Sequence, residues 1–516
     1  MGNFIVIEGD NFGFIGKLLE LSLPEKERLD LNEKAFQLAD FHPTAKAEVL
    51  LSFNYFDPLS VSKGLDCYPN IGAKVFVCSS SFIQDYFKRF GLKEDEDSTP
   101  YIKLATLTSN IGTEVTVSQQ AIFGRHCAVV GTTGGGKSWT VAKLIEGIKN
   151  NNNKAILIDP TGEYENIVDS SVVSVALAQD VYFHYSKLKN EDLFFLLQPA
   201  GRVQLPKLME AVRSLKMVSL DQNGELLDYI DNGYLVKQGR LKRPIEKFYY
   251  NNFKKIETGF LDFDIKKLPQ QITYECVFDT DRVDTGRFGP RNEADVSNCV
   301  SLISRANNLL NTFNSIFGFD EKADQDNDLT KVIDTFINNE SQFILRIGFE
   351  KVGFEYQTRE IIANSIANYL LTKARQGEFK LNPIVLFVDE AHQFLNRKIH
   401  DENFQFTHLN AFDQIAKECR KYGLFLCIAT QMPRDIPIGT LSQMGTFIVH
   451  RLINQYDKEA IVNACSAANN SILSFLPVLG EGEAILAGID FPMPISVKII
   501  EPTKKPDSKT PRFKTL

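Results

Sequence analysis

Apolar residues in the first 120 positions come in short bursts at 4–7, 47–53, 74–78, 102–107 and 114–117, separated by Gly, Pro, Asn and Asp. Bursts of this length and punctuation predict strands, and together they predict a small β-barrel or sandwich over residues 1–120. From about residue 121 the pattern changes. Continuous apolar runs at 126–130, 155–159, 343–347, 384–388, 424–429 and 446–450 alternate with helical periodicity at 138–148, 358–375 and 412–422. Strands that are apolar on both faces, alternating with helices, predict a mostly parallel α/β sheet. Between 206 and 329 such runs are scarce, while helical spacing recurs at 206–215 and 294–317. This stretch predicts a mainly helical insertion that splits the α/β core into 121–205 and 330–500. Residues 501–516 hold three prolines and five basic residues, which predicts a flexible tail.

The chain's 516 residues exceed one ordinary domain, and 43% hydrophobic with 24% charged residues is a globular composition that excludes wholesale disorder. No apolar run is long enough to predict a membrane span. The opening residues lack the basic, apolar and small-residue pattern of a secretory signal, and Val6 stands where a Met-Gly myristoylation signal needs Ser or Thr. A cytoplasmic protein is expected. The eight cysteines form no C-x-x-C pair, which argues against a disulfide framework and a zinc site. His392, His400 and His408 recur every eight residues without a fourth ligand at usual spacing. Asp324, Asp326 and Asp328 imitate a calcium loop, but Leu329 fills the position that needs Gly. Net charge is −8. A protein-wide basic field is thereby excluded, so any contact with nucleic acid has to come from a local concentration of Lys and Arg.

The strongest chemical signal is G-x-x-x-x-G-K-[ST], formed by Gly131, Thr132, Thr133, Gly134, Gly135, Gly136, Lys137 and Ser138. An apolar strand precedes it and an amphipathic helix follows. The glycines let the backbone curl its N–H groups around phosphates at the helix's positive end. Lys137 then reaches the β- and γ-phosphates and the Ser138 hydroxyl binds Mg²⁺. Trp139 follows at once and either lies near the base or packs beneath the loop. About 250 residues later, the buried run 384–388 ends in Asp389 and Glu390. A parallel strand delivers its last residues to the carboxyl edge of the sheet, where Asp389 can hold Mg²⁺ through water and Glu390 can polarise an attacking water. The alternative is an acidic pair capping a helix at 391–396. The run 424–429 ends in Thr430 and Gln431. The Gln431 amide can sense the γ-phosphate or the lytic water if its strand lies between the phosphate-loop strand and the Asp389–Glu390 strand.

Six stretches in fixed order carry a family resemblance: 124–138 (GRHCAVVGTTGGGKS), 158–164 (IDPTGEY), 386–392 (LFVDEAH), 419–423 (CRKYG), 429–433 (ATQMP) and 449–452 (VHRL). Together they resemble the HerA family of hexameric DNA-translocating ATPases, relatives of the FtsK-type pumps. The resemblance implies a RecA-like P-loop NTPase core, an N-terminal HAS-like β-barrel and the helical insertion. It also implies ATP and Mg²⁺ as cofactors and a homohexamer with DNA in its central channel. An effector protein, a nuclease or another defence effector, would dock on the barrel side. Arg420 matches the Arg before Lys-Tyr-Gly and is the arginine finger that the resemblance implies. Arg125 and Arg451 also match family arginines, each as a second contact in trans or an internal ion pair. Asp159 matches the family's Asp-x-x-Gly-Glu-Tyr and is implied to orient the waters of Mg²⁺, with Gly162 permitting the turn. Glu163 is left between a site role and a structural one. The implied activity is an ATP-dependent DNA translocase or helicase working with a separate effector, in DNA end processing or anti-phage defence. Two rivals stand beside it. One is a nucleotide-switched hexameric platform that activates an effector with little translocation. The other is a secretion-type ATPase, which the absence of a membrane anchor disfavours.

Overall fold

The computed structural model describes residues 4–22, 44–55, 65, 67–88, 99–108, 112–395, 409–465, 475–491 and 494–508. Its centre is an eleven-stranded sheet. Seven strands run parallel in the spatial order Thr446–Val449, Cys127–Val130, Leu424–Thr430, Ile384–Val388, Lys154–Asp159, Ile344–Gly348 and Val172–Ala176. Beside Thr446–Val449 the sheet continues antiparallel through Glu483–Gly488, Ile495–Ile499, Tyr101–Leu107 and Glu114–Ser118.

The continuous apolar strands are explained by two cores, one on each face. Ala128, Val130, Ile156, Ile158, Leu386 and Val388 point into one, while Cys127, Val129, Ala155, Leu157, Val385 and Phe387 point into the other. Period-two alternation sends neighbouring residues to opposite faces, so both must be apolar. The helix Lys137–Asn150 covers the second face. The helices Thr358–Gln376 and Ala411–Glu418, with much of the insertion, cover the first. The insertion is helical in its main elements, among them Gly201–Leu220, Lys242–Ile256, Leu268–Tyr274, Glu293–Thr312 and Leu329–Asn338. No helix among the described residues is long and apolar enough to cross a membrane.

Two expectations change. The strands at Phe4–Ile7, Phe12–Ser22, Thr44–Asn54 and Val75–Val77 form an antiparallel sheet that is an open row, not a closed barrel, among the described residues. The two strands expected to complete it, Tyr101–Leu107 and Glu114–Ser118, join the edge of the large sheet instead. Ile102 there packs on the helix Lys137–Asn150 so closely that a Cβ on Gly147 would stand 2.7 Å from its side chain. Alternating polarity marks a half-buried strand but does not say which sheet it enters. The second change is at the carboxyl end. Residues 501–508 do not hang free: the Thr503 N–H donates to Glu146 Oε2 at 2.6 Å, the Asp507 N–H donates to the Glu163 carbonyl at 2.8 Å, and Pro502 and Pro506 are buried. The rest of the expected tail lies outside the described residues, as do His400 and His408.

Candidate functional site

The phosphate loop leaves the buried strand Cys127–Val130 and enters the helix Lys137–Asn150. Its shape depends on two glycines. Gly136 caps the helix at φ +110°, which an L side chain rarely adopts. Gly131 lies against His450, where an added Cβ would stand 2.5 Å from the histidine Cβ. The loop is tied on three sides. Thr132 donates its N–H and hydroxyl to the Arg451 carbonyl at 2.9 and 3.1 Å, the Gly131 N–H reaches the Thr430 carbonyl at 3.2 Å, and the Gly482 N–H reaches the Gly135 carbonyl at 3.2 Å.

The carboxyl edge of the sheet brings the other groups to this loop. The strand Leu424–Thr430 does lie between Cys127–Val130 and Ile384–Val388, so Gln431 stands between the loop and the acidic pair. The Thr133 hydroxyl donates to Gln431 Oε1 at 2.5 Å, Gln431 Nε2 donates to Glu390 Oε1 at 3.3 Å, and Lys137 Nζ is 3.8 Å from the same oxygen. Glu390 holds its place at φ +43°, a strained conformation for a residue with a side chain. A helix cap does not require that strain.

Three carboxyl groups converge on Lys137. Burial pushes the Asp389 carboxyl up to about 8, with the neighbouring Glu390 and Glu163 carboxylates adding to the shift and Lys137 opposing it. Burial likewise raises the Glu163 carboxyl, opposed by the Ser138 hydroxyl that faces it and reinforced by Glu390. Glu390 Oε2 and Glu163 Oε2 are buried without a hydrogen-bond partner. Crowded carboxylates beside one lysine, with His392 Nδ1 3.3 Å from Glu390 Oε2 but held by burial below the ordinary histidine value, are short of positive charge, so the donor set fits Mg²⁺, with Ser138 and Asp389 as the residues that would hold it.

Asp159 does not share this task. Its carboxylate accepts from the N–H groups of Thr161, Gly162 and Tyr164 at 3.3, 2.9 and 3.1 Å and from Arg346 Nε at 2.7 Å, fully buried. All its capacity goes into shaping the turn that presents Glu163, so the group facing Ser138 is Glu163. Trp139 is not the residue beneath the loop either. It is half-buried on the helix flank, with Lys505 Nζ 5.8 Å from its ring centroid. His450 fills the place under the loop, bonding the Thr140 hydroxyl and the Glu483 carbonyl at 2.8 Å each, and burial holds it down to about 4, hence neutral. Sequence reading passed over His450. Its signal was its place at the end of an apolar run, on the edge where the loop also lies.

The three arginines separate. Arg451 is on the loop's own edge, its carbonyl holding Thr132 and its Nε buried without a partner. Arg125 and Arg420 are at the opposite, amino edge of the sheet. Arg125 is in an internal ion pair with Asp490 at 3.1 Å, while Arg420 anchors its Nε on the Gly124 carbonyl at 3.1 Å and is otherwise exposed.

A pH effect follows from Asp389. Its folded value of about 8 exceeds the ordinary 3.8, so across that window the folded chain keeps a proton the unfolded chain has released, and stability falls as pH rises. Removing the titration with Asp389→Asn is expected to shift the difference in thermal midpoint between variant and parent in the variant's favour from about pH 5 to about pH 8.5, measured without metal or nucleotide. A difference independent of pH would show that Asp389 does not carry the proton.

Family models described as "Helicase HerA, central domain" and "Helicase HerA-like C-terminal" match residues 102–351 and 371–509. The chain is 25% identical over 413 residues to a probable helicase of Methanocaldococcus jannaschii, covering 77% of this chain and 70% of that one. It is 23% identical over 409 residues to the DNA double-strand break repair helicase HerA of Pyrococcus furiosus, covering 77% and 69%. Among solved structures it is similar to the bacterial conjugative coupling protein TrwB at a TM-score of 0.45 and 13% identity, covering 79% of this chain and 90% of that one.

Proposed function

Since this chain belongs to the HerA family, we propose that its P-loop ATPase drives DNA translocation or unwinding, as a ring of six copies around DNA with a separate effector seated at the N-terminal sheet. In this reading the motor serves DNA end processing or anti-phage defence. The observation that supports the reading best is the chain of contacts from Thr133 through Gln431 to Glu390, which links the phosphate loop to the carboxylate able to polarise water.

In this mechanism the loop's N–H groups and Lys137 bind the phosphates. Mg²⁺, when bound, would supply neutralisation of the phosphate charge. Ser138 and Asp389 would hold the metal, and Glu163 orients the Ser138 hydroxyl. Glu390 accepts hydrogen bonding from the water and takes up its proton, and Gln431 relays the state of that water to Thr133 and the neighbouring strands. Arg420 acts on the nucleotide of an adjacent copy.

The rival reading, a nucleotide-switched platform, draws on the net charge of −8, since an acidic chain has no general hold on DNA. The two part on one measurement. The motor is expected to displace a third strand annealed at a distance along duplex DNA, with ATP and not with a non-hydrolysable analogue. Effector activation by the analogue alone, without displacement, would favour the platform.

A further inference from the structure

We propose that the outward face of the insertion helix Lys242–Ile256 is a docking surface for the phosphate backbone of DNA; this deepens the motor reading and rests on it. The helix carries five basic residues and one acidic residue, in a chain whose net charge is −8. Its inner face is fixed by Ile245, Phe248 and Ile256, which pack with Met217, Leu226 and Leu235 into a small core of their own. Arg243, Lys247, Tyr250 and Lys254 follow at steps of four, three and four. At 100° per residue they fall on one line along the helix, opposite that buried face. The line runs about 16 Å from Arg243 to Lys254, at 1.5 Å per residue.

All four side chains are exposed, and Arg243, Lys247 and Lys254 enter no ion pair among the described residues. Lys242, turned aside, is paired with Asp279. Helix stability does not explain this placement. Lysines near the carboxyl end suit the helix dipole, but Arg243 in the first turn opposes it. Tyr250, in the line, is 72% exposed, and Phe253, about a quarter turn to one side of it, is 48% exposed. Rings left in water between unpaired cations are the composition that nucleic acid covers, with phosphate on the cations and sugar or base on the rings. An acidic partner protein would match the charge but would leave the stretched, single-line spacing unexplained; a phosphate backbone has that form.

The test is the triple variant Arg243→Gln, Lys247→Gln and Lys254→Gln in the full chain, since Gln keeps helix propensity. Duplex and single-stranded oligonucleotides are titrated across a salt series. Each lost phosphate contact on duplex removes about 0.9 from the slope of log affinity against log salt, so a fall of about 2 to 3 is expected, with affinity at low salt down at least about tenfold. ATPase activity without DNA is expected to match the parent. A variant with the parent's slope and affinity on both polymers would overturn the inference and leave the motor reading standing. A parent that binds neither polymer would remove the motor reading first. Binding to phosphatidylserine vesicles but not to DNA, lost in the variant, would assign the face to a membrane surface and overturn the proposal.

Discussion

Glu390→Gln is expected to lower steady-state ATP hydrolysis by about 10²- to 10⁴-fold, the range a positioned general base supplies, while ATP binding stays within a few-fold of the parent. The geometry gives both halves of this result. Phosphate binding belongs to the loop N–H groups, Lys137 and Ser138; of these only Lys137 is paired with Glu390, and at 3.8 Å that contact is longer than a hydrogen bond. Gln431 Nε2 meets Glu390 at Oε1, 3.3 Å away, and an amide at 390 presents an oxygen there as a carboxylate does. What the substitution removes is the capacity of the buried Oε2, which has no hydrogen-bond partner and lies 3.3 Å from His392 Nδ1, to take a proton. An amide oxygen is too weak a base for that step. Measured by phosphate release and by equilibrium binding of a fluorescent ATP analogue, turnover within about tenfold of the parent would exclude Glu390 as the base. Lost binding together with lost turnover would mean that it is a structural support for Lys137, from which it stands 3.8 Å.

The parts of this site that were legible in the sequence are those that one strand carries to its end. Glycine spacing identifies the phosphate loop because only Gly tolerates φ +110° at 136 and the approach of His450 at 131. Asp389 and Glu390 were legible because a run apolar on every residue is buried on both faces, and its next residues emerge at the ligand edge. Gln431 required one further condition, the strand order, and the sheet meets it. What escaped is what depends on partners distant in sequence. Asp159 carries the chemistry of a metal residue, but Arg346, on the neighbouring strand Ile344–Gly348, claims its carboxylate. No local pattern announces that pairing. The strands Glu483–Gly488 and Ile495–Ile499 were missed, the first having only Ile485 and Leu486 as large apolar residues. Pro206 misled in another way. It reads as a helix start, yet the helix begins at Gly201, so Pro206 sits in the second turn, where it forfeits the bond to the Arg202 carbonyl and crowds that oxygen.

Arg420→Ala is expected to lower turnover by about 10³-fold or more, the range of an arginine finger, and to recover when mixed with Glu390→Gln. The argument is one of distance. Arg420 sits in the turn Cys419–Tyr422 before the strand Leu424–Thr430, whereas Gln431 and the phosphate loop lie at that strand's other end. Seven residues at about 3.3 Å each separate the two edges by roughly 20 Å, beyond the reach of an arginine side chain. Arg420 therefore cannot meet the phosphates of its own chain, and any contribution to hydrolysis has to be made to a neighbour. Arg451, by contrast, is on the loop's own edge, its carbonyl holding Thr132. In an equal mixture, an interface pairing the intact Glu390 of one copy with the intact Arg420 of the other arises in about one case in four for a head-to-tail ring. Turnover should then reach up to about a quarter of the parent's, though each variant alone is nearly inactive. Co-expression with two affinity tags and tandem purification ensures that mixed assemblies are what is assayed. Mixed assemblies as inactive as either variant would exclude action across the interface, and Arg420 would then be a structural residue holding the Gly124 carbonyl at the amino edge of the sheet.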